Sequence, residues 1–166
     1  MTPEEFVKKY LPDALRVEVQ TGFHHLITLT QGALESGWGS KAIGNNFFGI
    51  KWIKGDRFNK QLITTTEYLS NPNAKFPEII SITKQPNGKY KYIVKDYFRL
   101  YDTTSQGFSD HISFFNVNPR YKNACLVKNE PEKFFDEITK AGYATAPDYA
   151  NQLKQVMQSV IKRLPK

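Results

Sequence analysis

A single glutamate, Glu35, stands where an apolar helical pattern ends and a glycine-rich break begins. The break reads Ser36-Gly37-Trp38-Gly39, and two phenylalanines, Phe47 and Phe48, follow shortly after it. A carboxyl group at the mouth of a helix and walled by aromatic rings is in a setting that raises its pKa. A carboxyl that stays protonated near neutral pH can act as a general acid on a glycosidic oxygen. Glu35 is therefore the candidate acid of a glycosidase.

Apolar spacing predicts three helices before the glycine-rich break. Thr2 can cap a first helix and begin a capping box. A second, short helix is predicted over residues 12–20 and a third over residues 24–36, with Gly37 as its C-terminal cap. The third helix is the element that must position Glu35.

Runs of β-branched residues predict a sheet in the middle of the chain. One strand is predicted over residues 62–66, ending at Glu67, and two more over residues 79–83 and 89–94. The run Pro86-Asn87-Gly88 is a turn signal between the last two strands. This part of the sequence predicts a small antiparallel lobe.

Helical spacing returns in the last third of the chain, around residues 108–115 and over residues 131–140 and 147–164. Two helical parts that flank a β lobe resemble the lysozyme-like α+β fold, which is mainly helical and has a cleft between its lobes. We expect one domain over residues 1–166, with the β lobe at about 49–101.

Composition and charge narrow the class of protein. The chain has 166 residues, of which 40% are hydrophobic and 14% aromatic, and this composition argues against disorder. Its 23 basic and 16 acidic residues give a net charge of +7. That charge fits an anionic partner such as nucleic acid, a membrane or a polyanionic cell wall, but charge alone favours a solvated lysine-rich surface. No zinc-finger or basic-helix motif supports a nucleic-acid binder.

The sequence predicts no metal centre, no cofactor and no membrane span. Cys125 is the only cysteine, which excludes an internal disulfide, and His24, His25 and His111 form no Cys/His grouping. No apolar run approaches the ~20 residues that span a bilayer. The N-terminus lacks the basic and apolar regions of a signal peptide. How the chain would reach a cell wall is therefore not indicated.

Five motifs follow one another along nearly the whole chain. They are Ala33-Leu34-Glu35-Ser36-Gly37-Trp38-Gly39 with Asn46-Phe47-Phe48-Gly49-Ile50-Lys51, then Thr65-Thr66-Glu67-Tyr68, Tyr97-Phe98-Arg99-Leu100-Tyr101, Pro119-Arg120-Tyr121 and Ala141-Gly142-Tyr143-Ala144-Thr145. In this order they resemble the signature of glycoside hydrolase family 73, the bacterial endo-β-N-acetylglucosaminidases that cut peptidoglycan. The resemblance implies hydrolysis of the β-1,4 bond between N-acetylglucosamine and N-acetylmuramic acid, without a metal or cofactor.

The resemblance also implies catalytic roles. Glu35 would be the general acid, and Glu67 would face it across the cleft as a general base or as a stabiliser of positive charge. Glu78 is the fallback for the second carboxylate, although it lacks the threonine and tyrosine context of Glu67. Tyr143 would point into the cleft and orient water or the N-acetyl group of the reacting sugar.

Substrate contacts are implied for a second set of residues: Asn46, Phe48, Lys51, Tyr121 and Trp38. Tyr121 is either sugar-contacting or structural, and Trp38 either contacts sugar or braces the glutamate.

Two features depart from the family pattern. Relatives commonly carry aspartate where this chain has Ala146, so a helix N-cap or a site hydrogen bond is lost here. Residues 69–92 resemble an insertion that extends the β lobe.

Other functions stay open at this point. A muramidase or lytic transglycosylase of the same fold also places a glutamate before a serine at a helix end, although transglycosylases usually lack a second catalytic carboxylate. An inactive wall-binding module is the non-enzyme alternative. The mechanism is either inversion or retention assisted by the N-acetyl group of the substrate. We expect a monomer that acts on the bacterial cell wall, in the periplasm, outside the cell or delivered by a phage.

Overall fold

Helices make up both ends of the chain, and an antiparallel sheet occupies its middle. The computed structural model describes every residue from Met1 to Lys166. The helices are α1 (Pro3–Thr21), α2 (His25–Ser36), α3 (Thr104–Val117), α4 (Lys122–Leu126), α5 (Pro131–Lys140) and α6 (Tyr149–Ile161), with a 3-10 turn at Pro119–Tyr121 between α3 and α4. The strands are β1 (Asn59–Leu69), β2 (Glu78–Lys84) and β3 (Tyr90–Leu100). The expected mixture of helices with a small antiparallel sheet is confirmed.

The chain divides into two units. A helical unit comprises Met1–Phe48 and Asp102–Lys166, and a β unit comprises Gly49–Tyr101. None of the helices is long and apolar enough to cross a lipid bilayer.

The two helices predicted before residue 21 are a single helix, α1, with Pro12 in its interior. The predicted break at Pro12 was wrong. A proline in a helix interior costs about 3 kcal/mol locally, but the burial of neighbouring side chains also contributes. The buried stripe continues past the proline, since Tyr10 before it and Ala14 and Val17 after it all lie in the core. Burying several such side chains, at roughly 1.5–3 kcal/mol for each large one, offsets that cost.

Helix ends follow the sequence closely. Glu5 and Thr2 form the expected capping box, in which the Glu5 amide donates to the Thr2 hydroxyl and the Thr2 amide donates to the Glu5 carboxylate. Gly22 ends α1 in the left-handed conformation, at φ 78°. These caps are local features, so a local reading of the sequence finds them.

An aromatic core holds the helical unit together. Helix α1 packs on α2 and α3, and α2 packs on α6. Fully buried phenylalanines fill the space between these elements: Phe6, Phe23, Phe108, Phe134 and Phe135. Their rings meet mostly edge to face, as in the pair Phe23 and Phe134 at 5.7 Å and 84°.

The sheet has the strand order β1-β3-β2, with both pairings antiparallel. The predicted turn between β2 and β3 is present, with Gly88 at φ 84°. Two of the predicted strands, β1 and β3, were too short. Strand β1 runs past Glu67 to Leu69, and β3 continues to Leu100 because its second half pairs with Asn59–Ile63 of β1. The lengths of β1 and β3 are therefore set by their pairing with each other along the full register.

Candidate active site

Glu35 lies one residue before the end of α2, on its exposed side. The residues on either side of the turn that follows are held tightly: Ser36 is buried, and its hydroxyl accepts a hydrogen bond from the Gly39 amide at 2.8 Å. Gly37 and Trp38 are both left-handed, at φ 58° and 56°. This conformation is unusual for a bulky residue such as tryptophan, and the amide of Trp38 compensates by donating to the Ala33 carbonyl at 2.8 Å. The reversal directs the chain away and leaves the carboxyl group accessible.

A buried tyrosine of α6 holds the carboxylate. The hydroxyl of Tyr149 donates to Oε1 of Glu35 at 2.7 Å, and Nε2 of Gln31 lies 3.5 Å from the same hydroxyl oxygen. Burial, then the neighbouring Tyr143 and the charge of Glu35, raise the pKa of Tyr149 far above its usual range, so this phenol stays protonated and can only donate to the carboxylate.

The contact of Tyr149 with Glu35 was not predicted, because Tyr149 is the first of the buried residues along one face of the last helix. It is the first residue of α6 and only 5% exposed, as is typical of a core residue. The helix begins two residues later than predicted, after Asp148, and no side-chain cap precedes it. The only sequence signal was a tyrosine directly after a helix start, next to the motif that contains Tyr143.

Tyr143 lies beside this pair, and its role as a third site residue stays a prediction. Its ring stacks on that of Tyr149, with centroids 5.6 Å apart and an interplanar angle of 26°. Its amide donates to the Ile138 carbonyl at 3.0 Å, which fixes the loop that follows α5. Burial, then the charge of Glu35 and the neighbouring Tyr121, raise the pKa of Tyr143 far above its usual range.

His111 of α3 completes the cluster. Its Nε2 lies 3.0 Å from the hydroxyl oxygen of Tyr143, and its ring stacks on Phe48 at 3.6 Å with an interplanar angle of 5°. Burial lowers the pKa of His111 to about 3, so the imidazole is neutral at all working pH values. No sequence motif connected His111 with the site.

The β unit contains a second group of charges. Nζ of Lys51 lies 2.8 Å from Oε1 of Glu67 and 3.2 Å from Oδ2 of Asp96. Partial burial opposes the charge on the lysine, but hydrogen bonds to Glu67 and Asp96 outweigh it and raise the pKa of Lys51 above its usual value. Lys51 thus remains an ammonium ion and neutralises part of the charge of two carboxylates.

Glu67 and the fallback residue Glu78 lie on opposite faces of the sheet. Glu78 pairs in register with Lys95, and its carboxylate is 3.5 Å from Nζ of that lysine. Side chains alternate along β3, so Lys95 and Asp96 point to different faces. Glu67 shares a face with Asp96, as its contact through Lys51 shows.

The sequence model of the Glucosaminidase family, described as mannosyl-glycoprotein endo-β-N-acetylglucosaminidase, matches residues 11–162. The chain belongs to this family. The resemblance to glycoside hydrolase family 73 is thereby confirmed, and with it the assignment to the glycosidases.

Curated relatives of this glucosaminidase chain are longer proteins. It is 32% identical over 165 residues to the peptidoglycan hydrolase FlgJ of Vibrio parahaemolyticus, covering 96% of this chain and 48% of that protein. It is 32% identical over 166 residues to the peptidoglycan hydrolase FlgJ of Pseudomonas aeruginosa, covering 95% and 36%. The chain therefore spans less than half the length of these relatives.

A solved structure has the same fold as this glucosaminidase chain. It is the glycoside hydrolase domain from Salmonella typhimurium FlgJ, with a TM-score of 0.72 and 27% sequence identity. The similarity covers 98% of this chain and 90% of that one.

The remaining predicted contact residues of the glucosaminidase occupy different environments. Asn46 is 6% exposed, and Trp38 packs edge to face on Phe6 at 5.7 Å. Tyr121 is 2% exposed and packs on Phe115 at 5.2 Å and 81°. For Trp38 and Tyr121 these contacts support the structural alternative, and sugar contact stays a prediction for all three.

One grouping of possible metal ligands was not foreseen. Potential ligand atoms of Glu18, His24 and His25 all lie within 4.8 Å of one another. Protein contacts already engage them, because the Leu26 amide donates to Nδ1 of His24 at 3.1 Å and Nδ1 of His25 lies 2.8 Å from Oε2 of Glu18. These contacts give the group a structural role: His24 caps α2, and His25 links it to Glu18 of α1.

Proposed function

We propose that this chain is the glucosaminidase domain of a peptidoglycan hydrolase, an endo-β-N-acetylglucosaminidase that cleaves the β-1,4 bond between N-acetylglucosamine and N-acetylmuramic acid. Membership of the family and the names of the FlgJ relatives support the substrate class. The observation that carries the proposal is the geometry around Glu35, an accessible carboxyl group held by the Tyr149 hydroxyl beside Tyr143.

In this proposal Glu35 is the general acid. It donates its proton to the glycosidic oxygen as the bond to the anomeric carbon of N-acetylglucosamine breaks, and positive charge develops on the ring. A water molecule then supplies the hydroxyl group at the anomeric carbon and releases a proton. The Tyr149 hydroxyl fixes the orientation of the carboxyl group throughout, since it donates to one oxygen and leaves the other for the substrate.

Glu67 is proposed as the second carboxylate, which takes the proton of the attacking water or stabilises the positive charge on the sugar. Its contact with Lys51, whose Nζ lies 2.8 Å from Oε1, supports this role because it fixes the position of the carboxylate. Lys51 then acts through Glu67 as well as being a candidate glycan contact. Asn46 and Phe48 are proposed to contact the sugar as well.

The setting follows from the proposed substrate. We propose that the chain acts on the bacterial cell wall as a monomer, with glycan strands as its partner and a basic surface, net charge +7, that favours a polyanionic wall. Residues 69–92 are proposed to form part of the glycan-binding surface.

The test is hydrolysis of purified peptidoglycan by the wild type, Glu35→Gln and the matched control Glu132→Gln, which changes an exposed glutamate of α5. Mass spectrometry of the wild-type digest should find reducing N-acetylglucosamine ends. Glu35→Gln should lose about 10²–10⁴-fold in rate with an unchanged circular dichroism spectrum, and the control should match wild type. Anhydro-muramic ends would instead identify a transglycosylase, and near-wild-type hydrolysis by Glu35→Gln would refute the assignment of the acid.

A further inference from the structure

His111 occupies a place that an apolar aromatic residue would fill equally well. It is 3% exposed, its ring lies flat on Phe48, and it meets Phe115 edge to face at 4.9 Å and 79°. A phenylalanine has nearly the same shape and could make the same stacking contacts. The packing of the core therefore does not by itself require a histidine here.

The buried imidazole also lowers the stability of the fold, because one of its ring nitrogens is unpaired. Nδ1 is buried and has no hydrogen-bond partner within the protein, whereas Nε2 lies 3.0 Å from the Tyr143 hydroxyl oxygen. Leaving a buried polar atom unpaired is unfavourable, because the atom gives up its hydrogen bonds to water and gains none within the protein. A local departure from good packing chemistry of this kind is typical of functional positions, and the single hydrogen bond to Tyr143 is the feature that the histidine adds.

The unpaired nitrogen indicates which tautomer is present. A buried N–H without an acceptor is rarer than a buried lone pair without a donor. The neutral ring therefore places its hydrogen on Nε2, and this N–H donates to the oxygen of Tyr143. The hydroxyl hydrogen of Tyr143 is then not used by His111 and is available to another acceptor.

We propose that His111 is a positioning residue that fixes the Tyr143 hydroxyl as a hydrogen-bond donor to an acceptor oxygen of the sugar bound next to Glu35. The inference rests on the proposed glycosidase function and adds to it the direction of the hydrogen bond between Tyr143 and the substrate. Tyr143 gives a hydrogen bond to the substrate and does not remove a proton from water.

The surroundings of Tyr143 fit a donor. Its phenol stays protonated, because burial and the nearby charge of Glu35 both disfavour a phenolate. Its ring is fixed between neighbours, since it stacks on Tyr149 and lies 5.5 Å from the centroid of Phe115. With the ring held by packing and the oxygen held by Nε2, the hydroxyl hydrogen has a restricted set of directions.

The first test compares His111→Phe with His111→Gln in steady-state kinetics on soluble glycan fragments. His111→Phe keeps the stacking and removes the unpaired nitrogen, so it should be at least as stable as wild type. Its kcat should fall about 3–10-fold, the equivalent of one neutral hydrogen bond, with KM nearly unchanged. His111→Gln, whose amide can reach the same oxygen, should recover part of the loss. Full activity of His111→Phe would overturn the proposal.

A double-mutant cycle separates positioning from general packing. If His111 acts through the Tyr143 hydroxyl, His111→Phe should have no further effect on turnover in a Tyr143→Phe background. Additive losses would show that His111 acts by another route and would overturn the proposal.

The tautomer is tested without any activity measurement. Nitrogen-15 NMR of the histidine-labelled protein should show a protonated Nε2 and an unprotonated Nδ1 for His111, unchanged across neutral pH. A proton on Nδ1 would contradict the donor assignment. A wild type that does not cleave peptidoglycan would refute the proposed function instead, while the tautomer could still be as inferred, so the two failures are distinguishable.

Discussion

The Tyr149 hydroxyl and the Glu35 carboxylate form a hydrogen bond of 2.7 Å between residues that are 114 positions apart in the sequence. The bond joins the last turn of α2 to the first turn of α6, and these helices pack on each other. A carboxyl group on an exposed helix end would otherwise sample several rotamers. The orientation of the proposed acid therefore depends on the docking of α6.

Tyr149→Phe should weaken catalysis without unfolding the protein, because it removes only the hydroxyl group that orients Glu35. The acid form of Glu35 is neutral, and a neutral hydrogen bond contributes about 0.5–1.5 kcal/mol, so we expect a loss of about 3–10-fold in kcat. Tyr10→Phe is the matched control, since Tyr10 lies in the same helical core and packs on Phe6 and Phe47. Equal kinetics for the two variants would show that the Tyr149 hydroxyl takes no part in catalysis.

Glu67→Gln should lower turnover strongly with little change in glycan binding, because an amide cannot take a proton from water. If water attacks directly, proton NMR of the first product should show the α-anomer at the new reducing end. A β-anomer as the initial product would exclude simple inversion. It would leave the N-acetyl group of the substrate as the nucleophile, with Glu67 as a positioning residue.

Lys51→Met should destabilise the β unit in a pH-dependent way, because it leaves Glu67 and Asp96 without their shared cation. The folded-state pKa of Lys51 is raised above the usual 10.5. Its contribution to stability is therefore complete below pH 10.5 and is lost as the pH rises through the folded-state value. Chemical denaturation should show a gap between wild type and variant at neutral pH that closes in strong alkali. A gap that persists there would assign the effect to the aliphatic stem instead.

His111→Phe should make the protein more resistant to acid. The pKa of His111 is lowered from 6.5 to about 3 in the folded state, so only the unfolded chain takes up a proton between these values. Each pH unit below 6.5 then removes up to about 1.4 kcal/mol of the free energy of unfolding in the wild type. Urea unfolding at pH 7 and at pH 5 should show a smaller acid loss for the variant. Equal losses in both proteins would mean that His111 is accessible to protons in the folded state.

The segment from Ser70 to Lys89 can be removed at a point that the strand register defines. Leu69 and Tyr90 are the last cross-strand partners of β1 and β3, so an Asn-Gly turn can join them directly. The shortened protein loses β2 and should bind cell wall more weakly. Tyr92 loses its hydrogen bonds to Asn71 and Ala74, so some loss of stability is expected as well.

Pulldown with insoluble peptidoglycan measures the binding of the shortened protein, and thermal unfolding checks that it still folds. Unchanged binding and turnover in a folded variant would show that the segment takes no part in glycan recognition.

Local sequence features were predictable in this chain, and features set by distant contacts were not. The caps at Thr2 and Gly37 follow from neighbouring residues, as does the turn before Gly88. The interior proline at position 12 and the full length of β3 depend on packing and pairing with other parts of the chain.

The residues of the candidate site also divide into those with a local sequence signal and those set by distant contacts. Glu35 lies within a recognisable motif, and the resemblance to the family indicated Tyr143 and Glu67 as candidate site residues. Tyr149 and His111 had no motif of their own, because a buried tyrosine or histidine at helical spacing is typical of core residues. Their hydrogen bonds to Glu35 and Tyr143 were visible only once the helices were in place.

The helical unit is discontinuous in sequence, and this has a consequence for how it forms. The chain leaves this unit after Phe48 and returns at Asp102, yet α1 packs on α3 and α2 packs on α6. Every one of those contacts closes a long loop, and the entropy of closure must be overcome before packing compensates for it. The proposed acid and its tyrosine partner therefore come together only once α6 has docked on α2. Although the unit is helical, its high contact order should make it fold more slowly than a bundle of sequentially adjacent helices.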